Sequence, residues 1–162
     1  MAARQLTKRL SVAEYQLEVA KEAIAAQGGK AADFRVEVTD TRWVIEIDEK
    51  PTSLNKERGQ MRQMQRHNDV KKWRAYGKAI ALKLPTHPGQ FGVETFMTYP
   101  NRRHRFDVGN WLPSVKAVID GIIDSERLAE DNDDVMTFLH FERGRIDRDR
   151  KVPMVTIEVV LQ

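Results

Sequence analysis

The chain is 162 residues long, carries a formal net charge of +3 and contains no cysteine. This length is most simply one domain with a real hydrophobic core, and the lack of cysteine excludes disulfide bonds and thiolate metal sites. No apolar run is long enough for a signal peptide or a membrane span, so we expect a cytoplasmic protein with no membrane partner.

Charge is distributed unevenly along the chain. From Lys56 to Lys83 there are nine Lys or Arg residues and two acids, whereas from Asp120 to Asp134 there are seven acids and one arginine. A basic surface beside an acidic pocket is typical of a nuclease, in which one side holds phosphates and the other holds a metal ion.

The first predicted element is an N-terminal helix. Ser11 is followed three residues later by Glu14, which is the spacing of a capping box, and Tyr15, Val19 and Ala20 then fall on one helical face. The apolar stripe is thin, so residues 1–33 are expected to be a peripheral helical extension.

The remaining pattern alternates between strands and helices. We predict a polar loop over 51–60, helices over 68–84 and 111–123, and strands over 34–38, 43–47, 91–99, 135–141 and 154–161. The last two strands are expected to pair as a hairpin around a charged turn at 143–151. The order of elements predicts an α+β domain over 34–162, with a small mixed sheet covered mainly on one face by two core helices.

Acidic residues stand at both ends of the helix predicted over 111–123, with a lysine between them. Asp107 precedes the helix, Lys116 and Asp120 are one turn apart within it, and Glu130 and Asp131 follow it. Converging carboxylates repel each other and are usually tolerated only around a cation. The pattern therefore predicts metal-assisted attack on a phosphodiester.

Each of these residues also has a purely structural interpretation. Asp107 could be a helix cap or turn residue, Lys116 and Asp120 could be an exposed ion pair, and Glu130 could belong to a solvated loop. We favour the metal for Asp107, and the pattern leaves both interpretations open for Asp120.

In this order and spacing, these residues resemble the RusA family of Holliday junction resolvases, in particular its phage-type branch. The resemblance covers roughly residues 43–162. It rests on Arg103, Asp107-x-x-Asn110, Lys116-x-x-x-Asp120, Glu130-Asp131 shortly before Val135, a closing basic hairpin, and Ser53-Leu-Asn55 after an early strand. It implies a RusA-like fold, a homodimer, Mg²⁺ or alternatively Mn²⁺ as cofactor, and symmetric hydrolysis of four-way DNA junctions in a bacterial or phage-infected cytoplasm.

The resemblance assigns roles to individual residues. Asp107, Lys116 and Asp131 are expected to be catalytic, and Asp107 and Asp131 are expected to hold the metal with help from Asp120 or Glu130. Contacts with DNA are expected from Asn55, Arg58, Arg102, Arg103, Arg105 and Arg145, mainly through phosphates.

The chain departs from the family pattern in two places. Gly109 stands where family members often carry an acid, and three extra residues separate Asn110 from Lys116. Fewer charges should then face the metal, so we expect a greater need for Mg²⁺. The alternative is a catalytically impaired protein that keeps the fold and binds DNA junctions.

Overall fold

A computed structural model of the chain describes residues 12–26, 31–51, 60–104 and 107–162. The elements in chain order are α1 (Val12–Ala26), β1 (Phe34–Val38), β2 (Arg42–Ile47), α2 (Gln60–Ala81), β3 (Phe91–Tyr99), a 3₁₀ helix (Arg102–His104), α3 (Leu112–Asp124), β4 (Met136–Phe141), β5 (Arg145–Ile146) and β6 (Met154–Leu161). No helix within these ranges has the length and apolarity needed to cross a bilayer.

The strands form one mixed sheet in the order β1-β2-β6-β3-β4, and β5 pairs with β3 beyond the end of β4. Pairing is antiparallel between β1 and β2, between β2 and β6, and between β6 and β3. In contrast, β4 and β5 run parallel to β3. A parallel neighbour needs a crossover connection, which α3 provides between β3 and β4. The predicted α+β class with a small mixed sheet is confirmed.

The predicted hairpin between the last two strands is wrong. β4 pairs with β3, whereas β6 lies between β2 and β3. The reason is burial, because Val155 and Ile157 on one side of β6 and Thr156 on the other are at most 2% exposed. A strand buried on both faces must lie inside the sheet. β4 has exposed residues at Thr137 and His140, as an edge strand allows.

The core lies between the helices and one face of the sheet. It includes the three tryptophans, Trp43, Trp73 and Trp111, each at most 2% exposed, as expected from the sequence. The inward residues predicted for α3 are also buried: Val115, Val118, Ile119 and Ile122. The other face of the sheet carries charged side chains such as those of Arg42, Glu94 and Glu158, which form ion pairs there.

Two glycines set the contact between α2 and α3. A Cβ atom added to Gly77 would lie 2.1 Å from the carbonyl oxygen of Val118, and one added to Gly121 would lie 2.2 Å from that of Arg74. Real Cβ atoms do not approach backbone that closely, so the two helices can cross at this distance only because both positions are glycine. This crossing fixes α3, which carries Lys116 and Asp120.

α1 packs on the core through a face that shares only Ala20 with the predicted one. Tyr15 and Val19 are 63% and 46% exposed, whereas Ile24 is fully buried and Ala20 packs against the core. Ala20 and Ile24 are one helical turn apart, so they define the buried stripe. The predicted capping residue, Ser11, lies outside the described residues.

α2 begins before its predicted start and ends before its predicted end. Residues 64–68 are all exposed, and a part of a helix that buries no side chain has no apolar periodicity to reveal it. The C-terminal part of the helix is anchored by Tyr76, whose hydroxyl donates to Glu49 at 2.6 Å and accepts the Ala32 N–H at 2.7 Å. Burial and the bond to Glu49 raise the pKa of Tyr76.

Candidate functional site

The ammonium group of Lys116 is the centre of the candidate site. α3 places Lys116 and Asp120 one turn apart on the same side, and the loop after α3 brings Asp131 to meet them. Lys116 Nζ donates to Asp120 Oδ1 at 2.5 Å and also to the Asp131 carboxylate. The three side chains are 38%, 27% and 37% exposed. Two of the predicted acids thus converge on one cation that a ligand can still reach.

The ion pairs continue from α3 onto α2. Arg74 donates two hydrogen bonds of 2.7 Å to Asp124 and lies 3.8 Å from Asp120, while Lys78 lies 3.3 Å from Asp124. The Arg74 guanidinium, mainly through these hydrogen bonds, lowers the pKa of Asp124 to about 2. Asp120 therefore lies between two cations, Lys116 and Arg74.

Sequence reasoning missed the part played by Arg74. The signal was available, because Arg74 and Lys78 are spaced by four residues on α2 and Asp120 and Asp124 have the same spacing on α3. Such matched pairs can join two helices, but only contact between the helices brings them together.

Asp107 and Glu130 lie outside this cluster. Asp107 is exposed, its carboxylate accepts a hydrogen bond from the side chain of Asn110 at 3.3 Å, and its carbonyl accepts the Asn110 N–H at 3.2 Å. Glu130 is exposed and accepts from the Asn132 side chain at 2.5 Å. Within the described residues, no three His, Asp or Glu side chains are grouped so that they could hold a metal ion.

The start of α3 follows directly on the turn at 108–111. Trp111 is the N-cap residue, and no side-chain hydrogen bond caps this end of the helix in the described part of the chain. Asn110 is used by the turn instead, through its bonds to Asp107. Pro113 in the first turn needs no N–H partner there, which lowers the need for a cap.

Gly109 has a backbone conformation that bears on the acid expected there from the resemblance. Its φ angle is +89°, in the region that favours glycine, yet no atom lies within 4 Å of a Cβ built at this position. An aspartate here would therefore have space but would strain the backbone. The backbone conformation of this turn, and not crowding, disfavours an acidic side chain at position 109.

The residues expected to contact DNA are found in different places. Asn55, Arg58 and Arg105 lie outside the described residues. Arg102 and Arg103 are exposed in the 3₁₀ helix that follows β3. This segment leads into α3, so both arginines lie in the same connection as the turn that begins α3.

Arg145 lies on the face of the sheet that the helices do not cover. Its guanidinium lies 3.8 Å from the centre of the Phe96 ring and 3.7 Å from Glu142. It lines a pocket of about 200 Å³ together with Glu94 and Glu158, so acidic side chains surround it. The structure does not bring Arg145 together with Lys116, and its contact with DNA stays a prediction.

Comparison of the chain with models of known protein families and with curated proteins finds no match in either case. The likeness to RusA resolvases therefore rests on the residues named above.

Proposed function

We propose that the protein is a Mg²⁺-dependent endonuclease that hydrolyses phosphodiester bonds at four-way DNA junctions. The observation that carries the proposal is the convergence of Asp120 and Asp131 on the ammonium of Lys116. Paired carboxylates beside a cation, with exposed arginines in the adjoining connection, suit the binding and cleavage of a phosphate backbone.

Asp120 and Asp131 have the donor chemistry that Mg²⁺ prefers. One or two protein carboxylates suffice when waters and a substrate phosphate complete the coordination shell. Because both side chains reach the same ammonium, they are close enough to share a cation. When bound, Mg²⁺ supplies a water of lowered pKa at neutral pH. The sequence predicts Asp107 and Asp131 as the main ligands, with help from Asp120 or Glu130, and both Asp107 and Glu130 are exposed.

Lys116 has a further donor for substrate. An ammonium group has three N–H donors, and two of them are used by Asp120 and Asp131. The third can reach a phosphoryl oxygen and stabilise the charge that develops on it in the transition state. Lys116 also holds the two carboxylates together before substrate arrives.

The rest of the proposal concerns the partner. Arg102 and Arg103 would contact phosphates next to the cleavage site, and such contacts add affinity without reading bases. A homodimer would place two sites against two opposed strands, since a two-fold protein matches a two-fold junction. The proposed setting is the cytoplasm.

The test is a nicking assay on a labelled four-way junction with Mg²⁺ or Mn²⁺. Asp131→Asn should abolish cleavage while junction binding persists, because only a carboxylate directed at the site is lost. Asp133→Asn is the matched control, since Asp133 is exposed in the same acidic segment and lies outside the proposed site. Absence of cleavage by the wild-type protein with either metal would contradict the proposal.

A second candidate function is junction binding without cleavage. It is favoured by the absence of a group of three metal-binding side chains within the described residues and by the neutralisation of Asp120 and Asp131 by Lys116. With this second function, the protein would shift junctions in a gel but leave every strand intact across the full range of metal concentration.

A further inference from the structure

Acidic and basic side chains alternate from the loop after α3, across α3, to α2. Each forms an ion pair with the next, in the order Asp131, Lys116, Asp120, Arg74, Asp124 and Lys78. The two oxygens of Asp120 therefore face different cations. Oδ1 accepts a hydrogen bond from Lys116 Nζ at 2.5 Å, and Oδ2 lies 3.8 Å from Arg74 Nη1.

The two cations beside Asp120 are held in different ways. The Arg74 guanidinium donates through Nε and Nη2 to the two oxygens of Asp124, both at 2.7 Å. This pair of parallel bonds fixes the plane of the guanidinium and leaves Nη1 facing Asp120. The Lys116 ammonium is a point charge on a flexible stem and divides its donors between two carboxylates. A ligand can therefore displace Lys116 from Oδ1 more readily than it can displace Arg74 from beside Oδ2.

This difference bears on how Asp120 can bind a divalent cation. A positive charge fixed beside Oδ2 repels a metal ion at that oxygen, whereas Oδ1 can exchange one cation for another. Asp120 is then restricted to coordination through a single oxygen. Mg²⁺ tolerates this restriction, because it keeps several waters in a small octahedral shell. Ca²⁺ takes about six to eight oxygens and often binds both oxygens of one carboxylate, so the restriction costs it a ligand.

We infer that Arg74 is a positioning residue that makes the site selective for Mg²⁺ over Ca²⁺. It acts through Asp120, which it restricts to one coordinating oxygen. Net charge alone cannot produce this selectivity, because the two ions carry the same charge and a nearby cation repels both. The inference rests on the proposed function, since it takes Asp120 and Asp131 as the metal ligands.

The experiment compares the dissociation constants of Mg²⁺ and Ca²⁺ by isothermal titration calorimetry of the full chain without DNA. The wild-type protein should bind Mg²⁺ at least as tightly as Ca²⁺. Arg74→Met removes the guanidinium and keeps an unbranched apolar stem. In this variant the affinity for Ca²⁺ relative to Mg²⁺ should rise on the order of tenfold. Asp131→Asn should weaken the binding of both ions, because it removes a ligand that both would use.

The matched control is Lys78→Met. Lys78 also pairs with Asp124, at 3.3 Å, and is 55% exposed against 44% for Arg74. Among the ion pairs of the described residues, however, Lys78 reaches Asp124 and not Asp120. Lys78→Met removes the same charge as Arg74→Met, so it can shift both affinities together. The ratio of the two affinities should stay that of the wild type.

An unchanged ratio in Arg74→Met, or an equal rise in Lys78→Met, would overturn the inference and leave the proposed function standing. A wild-type protein that binds Ca²⁺ more tightly than Mg²⁺ would do the same, and this measurement needs no variant to fold. A wild-type protein that binds neither ion would overturn the proposed function as well. So would binding of both ions that Asp131→Asn leaves unchanged, because the metal would then lie elsewhere.

Discussion

Replacing Lys116 by methionine should convert the candidate site into one that needs a metal ion for stability. The substitution keeps an unbranched side chain, one atom shorter, but removes the only cation that bonds both Asp120 and Asp131 among the described residues. Since both carboxylates bond one nitrogen in the wild type, their oxygens are on the order of 4–5 Å apart. Their repulsion is then about 1 kcal/mol in water and about 4 kcal/mol at an effective dielectric constant of 20.

The lower limit of that range applies here. The two carboxylates are 27% and 37% exposed, and Arg74, 3.8 Å from Asp120, offsets part of the repulsion. A loss of about 1 kcal/mol lowers the melting temperature of a protein of this size by about 2–4 °C. Binding of Mg²⁺ at ten times its dissociation constant stabilises the folded state by about 1.4 kcal/mol. The melting temperature of the variant should therefore recover with Mg²⁺.

The assay is thermal denaturation across a range of Mg²⁺ concentration. The control adds Asp131→Asn to Lys116→Met, which removes one of the two carboxylates and should remove most of the recovery. A melting temperature of Lys116→Met that does not change with Mg²⁺ concentration would refute the argument that these two acids can share a metal. An equal recovery in the double variant would refute it as well.

Three other predictions concern the framework that holds the site. Gly121→Ala should cost about 1–3 kcal/mol in urea denaturation, because the added methyl group would force α2 and α3 apart. Tyr76→Phe should cost about 1–3 kcal/mol in the same measurement, since it leaves the Ala32 N–H without its partner. The pKa of Asp124 is lowered from 3.8 to about 2 in the folded protein. The ionised carboxylate therefore stabilises the fold above pH 3.8, and this contribution is lost as the pH falls towards 2. Arg74→Gln should therefore flatten the pH dependence of stability between pH 4 and pH 2, as followed by urea titrations at each pH.

The local parts of the fold could be predicted from the sequence. Alternating apolar residues identified β1 and β2, and strand-type composition identified β3. The inward residues of α3 were predicted correctly because its apolar spacing is regular. The order of strands could not be predicted in the same way. The position of β6 between β2 and β3 depends on partners more than fifty residues away, and a run such as Val155–Val160 fits a hairpin strand and a central strand equally well.

The candidate site shows the same division. The pairing of Lys116 with Asp120 follows from helical spacing and was predicted, and the sequence also singled out Asp131. The approach of Arg74 to Asp120 depends on the crossing of α2 and α3, which no local pattern encodes. Asp107 lies in a turn with Asn110, the structural alternative that the sequence left open, and its role as a metal ligand stays a prediction.

Two substitutions of Gly109 distinguish the effect of backbone strain on stability from the effect of an added carboxylate on Mg²⁺ binding. Gly109→Asp and Gly109→Ala both place a side chain at a φ angle of +89°. The free energy of unfolding of each variant should therefore be about 1–3 kcal/mol lower than that of the wild type. Aspartate tolerates positive φ better than alanine, so the aspartate variant should lose less free energy of unfolding than the alanine variant in the absence of metal. If position 109 faces the proposed Mg²⁺, only the aspartate variant should gain melting temperature as Mg²⁺ is added, and it should cleave junctions at lower Mg²⁺ concentration. Equal responses of the two variants to Mg²⁺ would show that an acid at this position cannot serve the site in this turn.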